Sequence, residues 1–185
     1  MALPGYDVEV NMSSRINLNR GAKLLLLVVT LVVSAMMASS SQGSWYNYKG
    51  AKVNRAAAIP IAEGSHPVDY FVTWDLVVDY QYARRGDQLD LWGSAKYAPG
   101  IRHNFMTVPR FYMRVFFADE QGMVLGYRGI VTSGYGYADD ELRFKQRITL
   151  PPGTALMAFG YAGEARGTGE GKGAAPFWFE PVSRW

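Results

Sequence analysis

The side chains able to do chemistry are few, and their spacing is wrong for most of it. Residues 164–173, Glu-Ala-Arg-Gly-Thr-Gly-Glu-Gly-Lys-Gly, have the glycine content of a phosphate loop. Such a loop needs a glycine five residues before the Gly-Lys glycine and a Ser or Thr after the lysine. Arg166 and Gly173 occupy those positions, and strand-like flanks supply no helix N-terminus for a phosphate. The run reads as a glycine-rich hairpin connection. Asp139-Asp140-Glu141 offers the hard oxygens calcium prefers, but not the alternating acidic spacing of a calcium loop. Adjacent strand residues point to opposite faces, so the triplet reads as a solvated turn before a strand. Asp75 and Asp79 on one strand stand about 13 Å apart, beyond the ~5–9.5 Å used by paired carboxylates. His66 and His103 both sit beside turn residues and would need the fold to bring them to a carboxylate to hold a metal. Ser94 and Ser133 lie in no Gly-x-Ser-x-Gly context, and the chain has no cysteine. The expectation is a protein without catalytic residues, cofactor or metal.

Aromatic side chains, by contrast, are in surplus: 14% of the residues, and all but Tyr6 follow residue 40. Trp74, Tyr80, Phe111 and Phe117, on strand-like segments, are expected in the core. The loop Thr132-Ser133-Gly134-Tyr135-Gly136-Tyr137-Ala138 has the composition of adaptable recognition loops, where tyrosines supply contact area at low entropic cost. The alternative is a hairpin tip whose tyrosines fold back on the domain. Near the C-terminus, Pro176 and Pro181 bracket an aromatic run, which suits a protected edge strand. Trp178 and Trp185 could there meet a neighbouring subunit. The residues expected to bind partners are Trp45, Tyr46, Tyr48, Tyr135, Tyr137, Trp178 and Trp185.

The first of these follow an apolar segment. Residues 24–38 carry no charge, Arg15, Arg20 and Lys23 precede them, and small polar residues follow. That is the layout of a signal peptide, with cleavage near residues 40–43. Fifteen helical residues cover only about 22 Å of the roughly 30 Å hydrocarbon core. Extending the span to residues 22–41 lets Lys23 reach the interface and places Trp45, Tyr46 and Tyr48 at an aromatic belt, as in a retained anchor. Both readings keep the basic flank cytoplasmic and export the rest. Met12 is an alternative start to Met1, giving a compact basic leader; otherwise residues 1–14 form a short cytoplasmic tail.

Beyond residue 40 no helical apolar period persists for three turns, and period-two alternation takes over. Tyr70, Val72, Trp74, Leu76, Val78, Tyr80 and Tyr82 read as one long strand, turned at Arg85-Gly86-Asp87 into Leu89, Leu91, Gly93, Ala95 and Tyr97. Further alternations run through Phe111–Phe117, 123–131, 142–150, 155–161 and 177–179. Asp119-Glu120-Gln121-Gly122 is a hairpin loop ending on a positive-φ glycine. Leu150-Pro151-Pro152-Gly153-Thr154-Ala155-Leu156 resembles the fibronectin type III corner, Leu-x-Pro-Gly-Thr-x-Tyr, which links strands of opposite sheets. Leu156 stands where that family has its corner tyrosine. The resemblance implies an immunoglobulin-like sandwich and nothing about a partner.

The expected fold is therefore all-β: an immunoglobulin-like antiparallel β-sandwich of about seven strands, preceded by one hydrophobic transmembrane or signal helix. The expected divisions are 1–21 as cytoplasmic tail or n-region, 22–41 as anchor, 42–65 as linker and 66–185 as sandwich. Nineteen Lys+Arg against 16 Asp+Glu give a net charge of +3, too small a surplus for nucleic acid. The function expected is an accessory or structural subunit of a larger membrane assembly, with integral membrane proteins as partners and the bilayer met through residues 22–41. The alternative is a secreted or periplasmic module for a ligand such as a glycan, released by signal cleavage.

Overall fold

The computed structural model describes Tyr48 and residues 50–167 and 173–183, within a compact unit Tyr48–Trp185. The apolar segment 22–41, Trp45, Tyr46 and Trp185 lie outside the described residues, as do the segment's cleavage and the choice of start. Among the described residues no helix is long and apolar enough to cross a membrane.

The unit is predominantly β and antiparallel. In chain order come β1 (Lys52–Val53), a 3-10 turn (Arg55–Ala57), β2 (Ile59–Pro60), β3 (Gly64–Val72), β4 (Leu76–Arg85) and β5 (Gln88–Tyr97). After the short helix α1 (Pro99–Asn104) follow β6 (Thr107–Ala118), β7 (Val124–Ser133), β8 (Gly136–Tyr137) and β9 (Glu141–Thr149). The last are β10 (Leu156–Arg166), β11 (Ala174–Phe179) and β12 (Val182–Ser183). One sheet runs β3-β4-β5-β9. The larger runs β11-β10-β6-β7, with β2 beside β10 and β8 beside β6.

Alternation decides which face each strand buries. Leu76, Val78, Tyr80 and Tyr82 of β4 and Leu89, Leu91 and Ala95 of β5 turn inward, meeting Phe111, Met113, Val115 and Phe117 of β6. Met157, Phe159 and Tyr161 of β10 close the same core. The turns follow their glycines: Gly86 at φ +61 closes the two-residue β4–β5 hairpin, and Gly122 at φ +81 ends the β6–β7 loop. In that loop Asp119 Oδ1 accepts the Gln121 and Met123 N–H groups. The Pro151–Gly153 corner carries the chain from β9 in the small sheet to β10 in the large one. Thr154 Oγ1 donates to the Pro151 carbonyl at 2.6 Å and holds it.

Two expectations are corrected. The alternation from Tyr70 to Tyr82 is two strands, broken at Thr73, whose Oγ1 accepts the Leu76 N–H at 3.0 Å while its own N–H donates to the Leu76 carbonyl. Val72 pairs with Val77 and Tyr70 with Asp79, so beyond the register shift at His66/Asp69 the even-numbered residues of β3 share a face with odd-numbered residues of β4. Tyr70 and Val72 therefore face outward, and Trp74 at the turn is 96% exposed rather than in the core. Of the expected linker 42–65, Tyr48 and residues 50–65 belong to the folded unit. β2 pairs with β10 within the large sheet, while β1 pairs with β12 and this terminal layer covers part of the large sheet's outer face. Beneath it Tyr48, Ala51 and Phe116 form one buried cluster, and Val53, Ala118 and Ala158 another.

The outer face of the small sheet is ionic. Lys96 Nζ and an Arg143 guanidinium nitrogen each lie 2.8 Å from the Glu141 carboxylate. Ser94 Oγ lies 3.0 Å from it. The Lys96 hydrogen bond first, then Arg143 and Ser94, hold the Glu141 carboxyl down from its ordinary 4.5 to about 2. A folded pKa below the unfolded one gives stability that is present above about pH 4.5 and lost as pH falls toward 2. Glu141→Gln should thus flatten the fall in thermal midpoint across that window; an unchanged pH profile would refute the ionic role.

Candidate docking surface

Among the described residues, the half of the large sheet's outer face that the terminal layer leaves uncovered carries three of the seven candidates, Tyr135, Tyr137 and Trp178. Residues paired across antiparallel strands project to the same side. Trp178 on β11 pairs with Ala162 on β10, Ala162 with Tyr112 on β6, and Tyr112 with Thr132 on β7. One row thus crosses four strands, with two aromatic rings on either side of a small residue. At roughly 4.8 Å per strand, Tyr112 and Trp178 are about 10 Å apart at their backbones. The next row holds Pro176, Glu164 and Arg110. Beyond it Arg166 pairs with Thr107, and Thr107 with Tyr137 on β8.

Local chemistry fixes the tyrosine loop at the end of this face. Asp140 Oδ2 accepts the Tyr137 N–H at 2.7 Å, and a Cβ on Gly136 would press on that carboxylate oxygen at 2.9 Å. Ala138 N–H donates to the Met106 carbonyl, and Met106 N–H to the Arg166 carbonyl, tying the loop to the start of β6 and the end of β10. Tyr135 and Tyr137 pack edge to face with centroids 6.3 Å apart. Their exposures of 73% and 54% show that neither folds back on the domain. Trp178 is 67% exposed and Tyr112 43%. The polar component is Arg110 and the Glu164–Arg166 ion pair at 2.7 Å.

Tyr48 does not join this surface. It is buried, edge-on to Phe116 at 4.9 Å, and its hydroxyl accepts from Arg114 at 2.8 Å while donating to Glu180. Burial raises its phenol pKa. Tyr48 therefore fastens the terminal layer onto the sheet, a role that needs Arg114 and Glu180 to converge from distant parts of the chain. Tyr112 was not singled out from the sequence, although an aromatic residue between Arg110 and Arg114 on the polar side of a strand was its signal.

The remaining candidates are kept apart or used structurally. His66 stacks on Tyr82 at 4.8 Å on β3, while His103 lies in the last turn of α1, toward the other end of the sandwich. Asp79 accepts from Ser94 N and Oγ, and Asp75 accepts from the buried Tyr161 hydroxyl. Ser133 Oγ donates to its neighbour's carbonyl. Glu164 and Arg166 end β10, Gly173 precedes β11, and residues 168–172 of the glycine-rich run lie outside the described residues. Among the described residues no three metal-ligating side chains converge. The described face offers exposed aromatic area edged by a few charges. Comparison with known proteins finds no matching family model, no matching curated protein and no matching solved structure.

Proposed function

We propose that this chain is a non-catalytic accessory subunit of a larger membrane assembly, anchored by residues 22–41 with its sandwich exported. The observation that carries the reading is the row of Trp178, Ala162 and Tyr112 on a face uncovered among the described residues, with exposed Tyr137 and Tyr135 beyond the intervening Arg110–Glu164 row. Exposed aromatics gathered on one face are the usual anchors of protein interfaces. The basic flank before residue 24 supports a cytoplasmic N-terminus. We also infer an immunoglobulin-like class for the sandwich. In support, β4-β5-β9 and β11-β10-β6-β7 follow the strand orders A-B-E and G-F-C-C′, with β3 added at the edge.

The test is the double variant Tyr112→Ala, Trp178→Ala in the full chain, extracted in mild detergent from its own membranes. Each truncation should weaken the complex by about 2 kcal/mol, roughly 30-fold. The thermal midpoint should hold, because both side chains stand outside the core. A complex of unchanged size and stability would refute the docking surface. The flat Ala162 floor between two aromatic rings also suits stacking on a sugar, which is the second reading: a module released by cleavage near residues 40–43. It predicts tryptophan quenching by a glycan, and loss of that quenching in the same variant.

A further inference from the structure

The aromatic face leaves a second feature unused. Among the described residues β3 is the free edge of the small sheet, and beside its second half runs a groove of ≈ 520 Å³. Residues 56–60 form one wall and residues 69–73 the other, with Tyr80 and Phe179 between them. That volume is within the range of pockets that hold a ligand or a few residues of peptide.

The backbone of the second wall is set for pairing. Thr73 N–H donates to the Leu76 carbonyl across the β3–β4 hairpin at 2.8 Å. The alternation of an antiparallel ladder then turns the backbone groups of residues 69 and 71 toward β4, and those of Tyr70 and Val72 toward the free edge. Asp69 Oδ1 takes the Tyr70 N–H at 2.7 Å. The Val72 N–H and the Tyr70 and Val72 carbonyls have no strand partner among the described residues. The first half of β3 is guarded by Pro67 and by a register shift between His66 and Asp69, the devices that keep edges from pairing. The second half has neither. Of the groove's lining side chains Asp69 alone is charged; it accepts from the Tyr80 hydroxyl and pairs with no cation among the described residues.

We propose that this half of β3 is a strand-addition site for an extended basic peptide. The peptide alternates apolar residues and carries a Lys or Arg where it passes Asp69. Main-chain hydrogen bonds to Tyr70 and Val72 give affinity, and the uncompensated carboxylate selects charge. The site stands on a different sheet from the aromatic face, so either can fail without the other.

The test uses the full chain in detergent micelles and three capped peptides: Val-Lys-Val-Thr-Val, Val-Glu-Val-Thr-Val and Val-Lys-Pro-Thr-Val. The lysine peptide should bind about tenfold more tightly than the glutamate peptide, as expected for one charge pair. It should also slow hydrogen exchange at the Val72 amide, and the proline peptide should do so far less. Val72→Pro removes only an outward N–H and should weaken the lysine peptide by about tenfold at an unchanged thermal midpoint. Should that variant not fold, Asp69→Asn supplies the reading: the lysine and glutamate peptides should then bind alike. Equal binding of all three peptides to the unaltered chain, or unslowed Val72 exchange, overturns the proposal. So does Val72 protection that appears without peptide as the protein is concentrated, since that assigns the edge to a second copy.

Discussion

Replacing Phe159 with alanine is expected to lower the unfolding free energy by about 3–5 kcal/mol, the range for truncating a buried phenylalanine. Phe159 lies mid-strand on β10 with no exposure to solvent. Its ring meets Tyr80 at 5.1 Å and Phe71 at 5.6 Å, so it joins the large sheet to both β4 and the edge strand β3. Neither neighbour is free to collapse into the space left behind. Tyr80 is held by a hydroxyl bond to Asp69, and burial in the core pushes its phenol pKa up. Phe71 is fixed by its pairing with Val78. The cost should therefore sit in the upper part of the range. Phe159→Leu, which keeps most of the volume, should cost about 1–1.5 kcal/mol. Denaturant unfolding of the full chain measures both. A loss below about 1 kcal/mol for alanine would show that the sheets do not pack through this residue.

Gly93→Ala is the second large effect, and it arises from crowding rather than from a cavity. Gly93 pairs with Tyr80 on one side and Phe144 on the other, at the centre of the small sheet. A Cβ there would stand 2.1 Å from the Asp79 carbonyl oxygen and 2.9 Å from the Tyr80 Cα. Both obstacles are backbone, so no rotamer change relieves them; β4 itself must move. That movement disturbs Tyr80 and the Asp79–Ser94 bonds together. The expected loss is about 3 kcal/mol, the top of the usual overpacking range. Gly129→Ala, where a Cβ meets nothing within 4 Å, is the matched control and should change stability by under about 0.5 kcal/mol. Equal effects at the two positions would mean that β4 and β5 are less closely apposed than described.

What the sequence made legible follows from local physics. β9 was readable because Glu141, Arg143, Lys145 and Arg147 alternate with Leu142, Phe144, Gln146 and Ile148, and a half-buried strand satisfies the charged and the mostly apolar set together. Gly86, Gly122 and the Pro151–Gly153 corner were readable because their backbones depend on residue type. The β3–β4 boundary was not readable. Its turn contains neither Gly nor Pro, and the hydrophobic alternation runs straight through it while the pairing reverses its meaning. The inward position of Tyr48 was hidden for another reason: its partners Arg114 and Glu180 lie 66 and 132 positions away. The candidate surface falls between these cases. Tyr135, Tyr137 and Trp178 announced themselves through loop composition and proline flanks, whereas Tyr112 emerged only when the β6–β10–β11 register placed it in line with Trp178.

The most direct test of the docking account is photo-crosslinking from position 178 of the full chain in intact native membranes. The same probe at Lys145, on the outer face of the small sheet, serves as the control. The account predicts a discrete protein adduct from position 178, none from position 145, and loss of the adduct when Tyr112 is also replaced by alanine. No adduct from position 178, or the same adduct from both faces, would contradict it.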